Sequence, residues 1–202
     1  MFTFDDHKLF SAYVTAFPGP PPKPEQVARA GTLMGFLSTD SDISDIRWAA
    51  YMLATVKHEC ADTWTPIAER GSPEYFRRYD ADTVLGHRLG NTEDGDGFRF
   101  RGRGYVQITG RANYGHLGQL LGMGDQLTEN PDLALDPNVA YRIMSIAMRT
   151  GSFTGKKLGD FISQNSCDFM NARRIINGTD QAEKIAGYAT KIQQVLTSAI
   201  IE

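Results

Sequence analysis

Two carboxylates and a block of polar side chains around glycines are the groups in this sequence best suited to chemistry. The block is Arg101-Gly-Arg-Gly-Tyr-Val-Gln-Ile-Thr-Gly-Arg-Ala-Asn-Tyr114, which gathers guanidinium, amide and hydroxyl groups downstream of a His58-Glu59 pair. Such a mixture is the makeup of a sugar-binding catalytic cleft. Gly102, Gly104 and Gly110 are places where backbone can approach a ligand closely or take up positive φ. Hydrolysis of a glycosidic bond needs one carboxylic acid to protonate the departing oxygen and one carboxylate to activate water or stabilise the cationic transition state. Glu59 and Glu69 are one candidate pair, with Glu59 as acid and Glu69 as base. One continuous helix would separate them by about 15 Å, too far for an inverting pair. Pro66 and the polar run Asp62-Thr-Trp-Thr65 instead predict that the helix ends near Cys60 and the chain turns back. Asp62, Glu74 and Asp80 are the alternatives for the second carboxylate.

The elements that must position these groups are mostly helical. Leu9, Phe10, Tyr13, Val14 and Phe17 recur at helical spacing, as do Val27, Ala30, Leu33, Met34 and Leu37. The proline-rich run Pro18–Pro24 between them reads as an extended connector. Ile46, Ala49, Ala50, Leu53 and Val56 give a third helix with Glu59 at its end, where partial burial would favour the protonated acid. Leu117, Leu120 and Leu121 mark a helix stopped at Gly122. Asp136-Pro137 is an N-cap and first-turn pair opening a helix to about Thr150, and Ile185, Tyr188, Ile192, Val195 and Ala199 mark a last one. Tyr105–Thr109 reads as a short strand whose alternation sends Tyr105, Gln107 and Thr109 to one face and Val106 and Ile108 to the other. The expected fold is therefore mainly α with one small sheet segment. We expect a single domain over 1–202, with 1–40 as an N-terminal helical lobe or extension.

At Gly-Arg-Gly-Tyr-Val-Gln-Ile-Thr-Gly-Arg-Ala-Asn-Tyr the sequence resembles the signature of family 19 glycoside hydrolases. These are chitinase-like enzymes that include many phage endolysins, with the pattern Gly-Arg-Gly-x-x-Gln-(aliphatic)-(Ser/Thr)-x-x-x-Asn-Tyr. His58-Glu59, the Pro66-Ile-Ala-Glu-Arg-Gly71 segment and Ile175-Ile-Asn-Gly178 fit in the same order, so the similarity runs over about residues 44 to 190. The resemblance implies a lysozyme-like α+β architecture, with the sheet segment beside the catalytic cleft. It implies Glu59 as acid and assigns Thr109 and Gln107 to holding water and sugar, with Asn113 and Asn177 as substrate-binding amides. Arg103, Tyr105 and His58 join the candidate substrate-binding set, although His58 also reads as an imidazole packed against its helix. Tyr114 is either cleft wall or core. Where the family commonly has an Arg after the late Asn, this chain offers Lys184, whose point charge cannot reproduce bidentate geometry.

Composition excludes several other functions. The 202 residues, 41% hydrophobic and 22% charged with a net charge of −3, describe an ordinary globular chain, not one that binds nucleic acid by counterion release. Arg99, Arg101, Arg103 and Arg111 offer local positive charge all the same. The two cysteines, Cys60 and Cys167, read as buried thiols and not as a disulfide framework. His58 lacks a second His four residues on, the four histidines are scattered, Gly151–Lys156 is too short for a phosphate loop, and Asp94-Gly-Asp-Gly97 reads as a turn. No metal or cofactor is expected. The N-terminal segment has neither a basic region nor an apolar one, and no stretch is apolar enough to span a membrane.

The expectation is an endolysin-type hydrolase of the β-1,4 glycan of bacterial peptidoglycan, monomeric, held in the host cytoplasm and released to the wall by a holin. The alternatives are a chitinase acting on β-1,4-linked N-acetylglucosamine and, from another class, a non-catalytic glycan-binding module. A wall amidase or peptidase would need a metal or a Cys/His site, and Cys60 and His58 point to different helix faces.

Overall fold

The structure, a computed structural model, describes residues 2–201. The chain forms two compact units: a first that runs to Trp64 and resumes at Met148, and a second over Thr65–Ala147. Residues 2–40 belong to the first unit.

In the first unit, helix α1 spans Asp6–Ala16, capped by the Asp5 carboxylate accepting from the Lys8 amide at 3.0 Å. Helix α2, Pro24–Thr39, opens on Pro24 and buries Leu33 and Leu37. Helix α3, Ile46–Glu59, starts at an Asp45 cap and is buried continuously from Ala49 to Lys57. It reads as a core helix because Ala49, Ala50 and Ala54 allow close approach while Met52, Leu53 and Val56 fill the space left over. Its principal neighbour is the C-terminal helix Ala182–Ala199, whose Ile185, Ala189, Ile192 and Leu196 are buried. That helix also packs on α1, and the ends of the chain are joined by the Asp5 amide donating to the Ala199 carbonyl at 2.8 Å.

The second unit holds the glycine-rich block. Strand β1, Ile67–Ala68, pairs antiparallel with β2, Arg103–Gly104, in the register Ile67 to Gly104 and Ala68 to Arg103. Beyond the block, helix α4 spans Arg111–Leu120 and gives way at Gly122, in the left-handed region at φ 70°. Helix α5, Pro137–Thr150, starts where expected: the Asp136 carboxylate accepts from the Asn138 and Val139 amides at 3.0 Å each. A second small hairpin, Ile162–Ser163 with Ser166–Cys167, lies in the first unit. The architecture is mainly α with two-stranded sheets, as the sequence predicts.

Two expectations change. Tyr105–Thr109 is a tight turn and not a strand: the Arg103 and Ile108 amides and carbonyls exchange hydrogen bonds at 3.1 and 2.9 Å, and Gln107 between them has φ 55°. A chain reversing over so few residues breaks alternation, so Tyr105, Val106 and Ile108 are all buried while Gln107 and Thr109 stay partly exposed. Cys167 is exposed; only Cys60 is buried, and burial pushes its thiol up to about 12. No helix among the described residues is long and apolar enough to cross a membrane.

Candidate active site

Glu59 closes α3 in the first unit. Its Oε1 accepts from Nη1 of Arg173 at 2.7 Å, with Arg173 itself only 3% exposed and Glu59 17%. Arg173 stands in the 3₁₀ turn Asn171–Ile175, and its Nε donates to the Asp180 carbonyl at 2.9 Å, so the guanidinium is clamped from both sides. Sequence reasoning did not single out Arg173, which lies four residues before Asn177. Lys184 lies over the Tyr188 ring at 5.9 Å and does not take the place beside Glu59. Asn177 is exposed, its amide donating to the Arg173 carbonyl at 3.0 Å. His58 is half-buried, and that desolvation lowers its pKa from the ordinary imidazole value.

The turn after Glu59 is unusual. Ala61, Asp62 and Trp64 have φ of 48°, 62° and 56°, each in the left-handed region that non-glycine residues avoid at a cost of about 1–3 kcal/mol. Lys57 grips this turn at both ends: its carbonyl accepts from the Asp62 amide at 3.0 Å, and its ammonium is paired with the Asp62 carboxylate. The ammonium also donates to the Tyr13 hydroxyl at 2.9 Å and lies 4.3 Å from the centre of the Phe17 ring, 5.3 Å from those of Tyr13 and Tyr188, and 6.0 Å from that of Trp64. Burial would lower the Lys57 pKa, but Asp62 and Tyr13 outweigh it and hold the ammonium above its usual range. Nothing in the sequence pattern marks this cage, because its four rings come from three separate segments.

Glu69 follows β1 in the second unit. Its amide donates to the Gly102 carbonyl at 2.7 Å, and its Oε2 accepts from the Gly102 amide at 3.3 Å. A side chain at Gly102 would start 3.0 Å from Gln107 Oε1 and 3.2 Å from Glu69 Oε2, so glycine here lets the loop close over both. The Gln107 amide nitrogen donates to the Ile67 carbonyl at 2.9 Å and the Gly104 carbonyl at 3.0 Å, which ties the turn to β1. The Thr109 hydroxyl donates to the Gln107 carbonyl at 3.0 Å, and the Asn113 amide to the Thr109 carbonyl at 2.7 Å. Gly110, at φ 92° and with its Cα hydrogens against Leu89, starts α4. Glu69, Gln107, Thr109 and Asn113 are thus brought together on one loop system of this unit.

Other members of the block serve the fold. Arg103, 4% exposed, donates to Asp132, to the Arg99 and Arg101 carbonyls and to the Tyr114 hydroxyl. Tyr114 is core, its hydroxyl donating to the Arg101 carbonyl, and burial raises its pKa to about 12. Tyr105 is core as well, at 1% exposure. Arg111 makes a two-pronged pair with Asp96 at 2.7 and 2.6 Å and meets Glu93 at 3.0 Å. The expected patch of four arginines therefore reduces, because Arg103 and Arg111 are paired with carboxylates. The alternatives for the second carboxylate are engaged too: Asp62 with Lys57, and Asp80 with the Gly97 amide at 2.8 Å, while Glu74 sits in the first turn of the short helix Pro73–Phe76.

Comparison with known proteins gives the same assignment. The family model described as "Chitinase class I" of glycoside hydrolase family 19 matches residues 25–152. The chain is 30% identical over 121 residues to an acidic endochitinase, pcht28, of Solanum chilense, covering 57% of this chain and 40% of that protein. It is 38% identical over 66 residues to a glycosyl hydrolase family 19 domain-containing protein of Haemophilus influenzae, covering 30% and 33%. These matches span well under two thirds of the relatives' own length. Among solved structures, chitinase C of Streptomyces griseus superimposes with a TM-score of 0.60 at 23% identity, covering 93% of this chain and 91% of that one. A bacterial family 19 chitinase superimposes at 0.55 and 24%, covering 93% of each. A match over most of the chain to the family model, together with the shared fold, shows that this chain belongs to the family 19 glycoside hydrolases.

Proposed function

We propose that this protein hydrolyses the β-1,4 glycan strands of bacterial peptidoglycan in the manner of an endolysin, with Glu59 as general acid and Glu69 as general base. The observation that carries the reaction is the Glu59 carboxyl at the end of a buried helix with one oxygen fixed by Arg173. The guanidinium on Oε1 fixes the orientation of the carboxyl group and leaves Oε2 as the oxygen to meet the glycosidic oxygen. Glu69 keeps company suited to a base: its Oε2 accepts from the Gly102 amide, and a glutamine and a threonine stand close by to orient water. Thr109, Gln107 and Asn113 are the groups we assign to water and sugar, with His58 and Asn177 near the acid. Arg103, Tyr105 and Tyr114 act from the core by holding the loop.

The wall assignment rests on the Gly102–Tyr114 block, which resembles the signature of a family that includes many phage endolysins. In this reading the protein is kept in the host cytoplasm and reaches the wall with the help of a holin. Chitin is the second reading, favoured by the endochitinase relative. A non-catalytic binding module is disfavoured because the acid is present and held by a dedicated cation. Digesting purified peptidoglycan and chitin side by side, with mass spectrometry of the new reducing ends, tests the assignment. New muramic acid or glucosamine ends from peptidoglycan support it, and ends from chitin alone overturn it in favour of the second reading.

A further inference from the structure

Two guanidinium groups flank Glu69 on an exposed aromatic surface, and the reaction itself requires neither. The guanidinium of Arg78 lies 3.8 Å over the Tyr75 ring and 4.7 Å over the Tyr79 ring, donates to both phenol oxygens, and stands 4.0 Å from Glu69 Oε1. Arg101 immediately precedes the glycine whose amide donates to Glu69. Its guanidinium lies 4.2 Å over the Phe98 ring and donates to the Phe98 carbonyl at 2.9 Å. Tyr75 and Phe98 are both exposed, at 44% and 38%, and both rest edge-on against the buried ring of Phe76 at 5.0 and 5.7 Å. One rigid surface therefore carries two exposed rings and two stacked guanidinium groups around a single carboxylate.

Charge counting shows what such a surface can bind. Arg103 is matched by Asp132, and Arg111 by Asp96 and Glu93. Arg78 stands 4.0 Å from Glu69, and Arg101 feels Glu69 together with Asp132, the carboxylate already paired with Arg103, so around Glu69 the guanidinium groups outnumber the carboxylates in a chain whose net charge is −3. Burial, and Arg103 nearby, push the Arg101 pKa down, so an incoming anion would relieve that site. Stacking on rings fixes the planar forks and limits the rotamer freedom lost on binding, and a fixed fork matches the two oxygens of a carboxylate. Exposed rings beside it suit the apolar face of a sugar.

We propose that Arg78 and Arg101 select a β-1,4 glycan carrying carboxylates, which makes the anionic wall strand and not neutral chitin the preferred substrate. The inference rests on Glu69 taking part in the reaction. The carboxylate sits either on the lactyl ether of bare muramic acid or on an attached stem peptide, and the two sources are separable by experiment.

The test measures kcat/KM for the wild type, Arg78→Gln, Arg101→Gln and the double variant on three substrates: wall strands with stem peptides, the same strands stripped of peptide, and neutral chitin oligosaccharides. Each substitution should lower kcat/KM on an anionic strand about threefold to fivefold, and the pair roughly tenfold, beyond any loss on the neutral substrate. The wild-type rate on that strand should fall more steeply with salt than the double variant's. A larger effect on stripped strands identifies the lactyl carboxylate, and a larger effect on intact strands the peptide. Arg78→Lys and Arg101→Lys, which keep the charge, should retain part of the preference, and thermal unfolding of each variant separates this from misfolding. If the wild type cuts no chitin, wall strands with carboxylates converted to amides serve as the neutral substrate. Equal losses on all substrates overturn this inference and leave the wall reading standing. A wild type that cuts chitin and neither wall strand, or none of the three, overturns both.

Discussion

Arg173 reaches back across 114 residues of sequence to donate to Oε1 of Glu59 while a second nitrogen of the same guanidinium holds the Asp180 carbonyl. Removing that cation would leave a mostly buried carboxylate without its partner, which costs about 3 kcal/mol or more. Arg173→Met should therefore lower the unfolding temperature and reduce turnover together. Arg173→Lys restores the charge without the fork, so it should recover part of the stability and less of the turnover. Calorimetry with wall-turbidity assays on both variants checks this, and normal turnover in Arg173→Met would free Glu59 from the arginine.

Glu59→Gln keeps an oxygen for Arg173 to bond but cannot deliver a proton to the leaving oxygen. Activity should fall by about 10²- to 10⁴-fold with the unfolding temperature within a few degrees of wild type. Clearing of walls at a rate within a few-fold of wild type would remove Glu59 from the mechanism.

Glu69, acting as a base on water, requires that the product first appear with its anomeric configuration inverted. Proton NMR of the anomeric signal in the first minutes of hydrolysis reads this directly. Retention, or a normal rate for Glu69→Gln, would send the search back to Asp62, Glu74 or Asp80.

Lys57 is the pin of the strained turn that follows Glu59. Lys57→Met fills the cage with a side chain of similar length but abandons both the Asp62 carboxylate and the rings. We expect a loss of about 2 kcal/mol, discounted for the partial exposure of Asp62. Turnover should fall as well, because the last turn of α3 carries Glu59. In a double-mutant cycle with Asp62→Asn the two losses should be far from additive, and additive losses would show that the pair does not act as a unit.

His58 gives stability a pH dependence of known sign. Burial sets its folded pKa below the unfolded value of about 6.5, so the unfolded chain takes up the proton first as pH falls. Its contribution is fully present above about 6.5 and is lost as pH drops through the folded value. Urea titrations of His58→Gln should show a flatter decline than wild type across that window; an unchanged slope would mean that the imidazole is solvated.

Much of this was legible in the sequence where local chemistry decides. The Asp136-Pro137 start of α5, the apolar face of α3 and the end of that helix at Cys60 follow from caps, periodicity and proline, and the structure has them. The turn at Gln107 was misread because a two-residue alternation cannot distinguish a strand from a tight reversal in which the same apolar residues are buried. Arg173 and the Lys57 cage were invisible for another reason: their partners lie far away in sequence, and only folding brings them together.

The two-part make-up of the first unit has a consequence for synthesis. Glu59 leaves the ribosome long before Arg173, and at roughly 10 residues per second the 114 residues between them take about 10 s to make. The helix against which α3 packs, Ala182–Ala199, is made later still. A nascent chain thus carries Glu59 without its cation, and α3 without the helix it packs on, until the Ala182–Ala199 segment has been made.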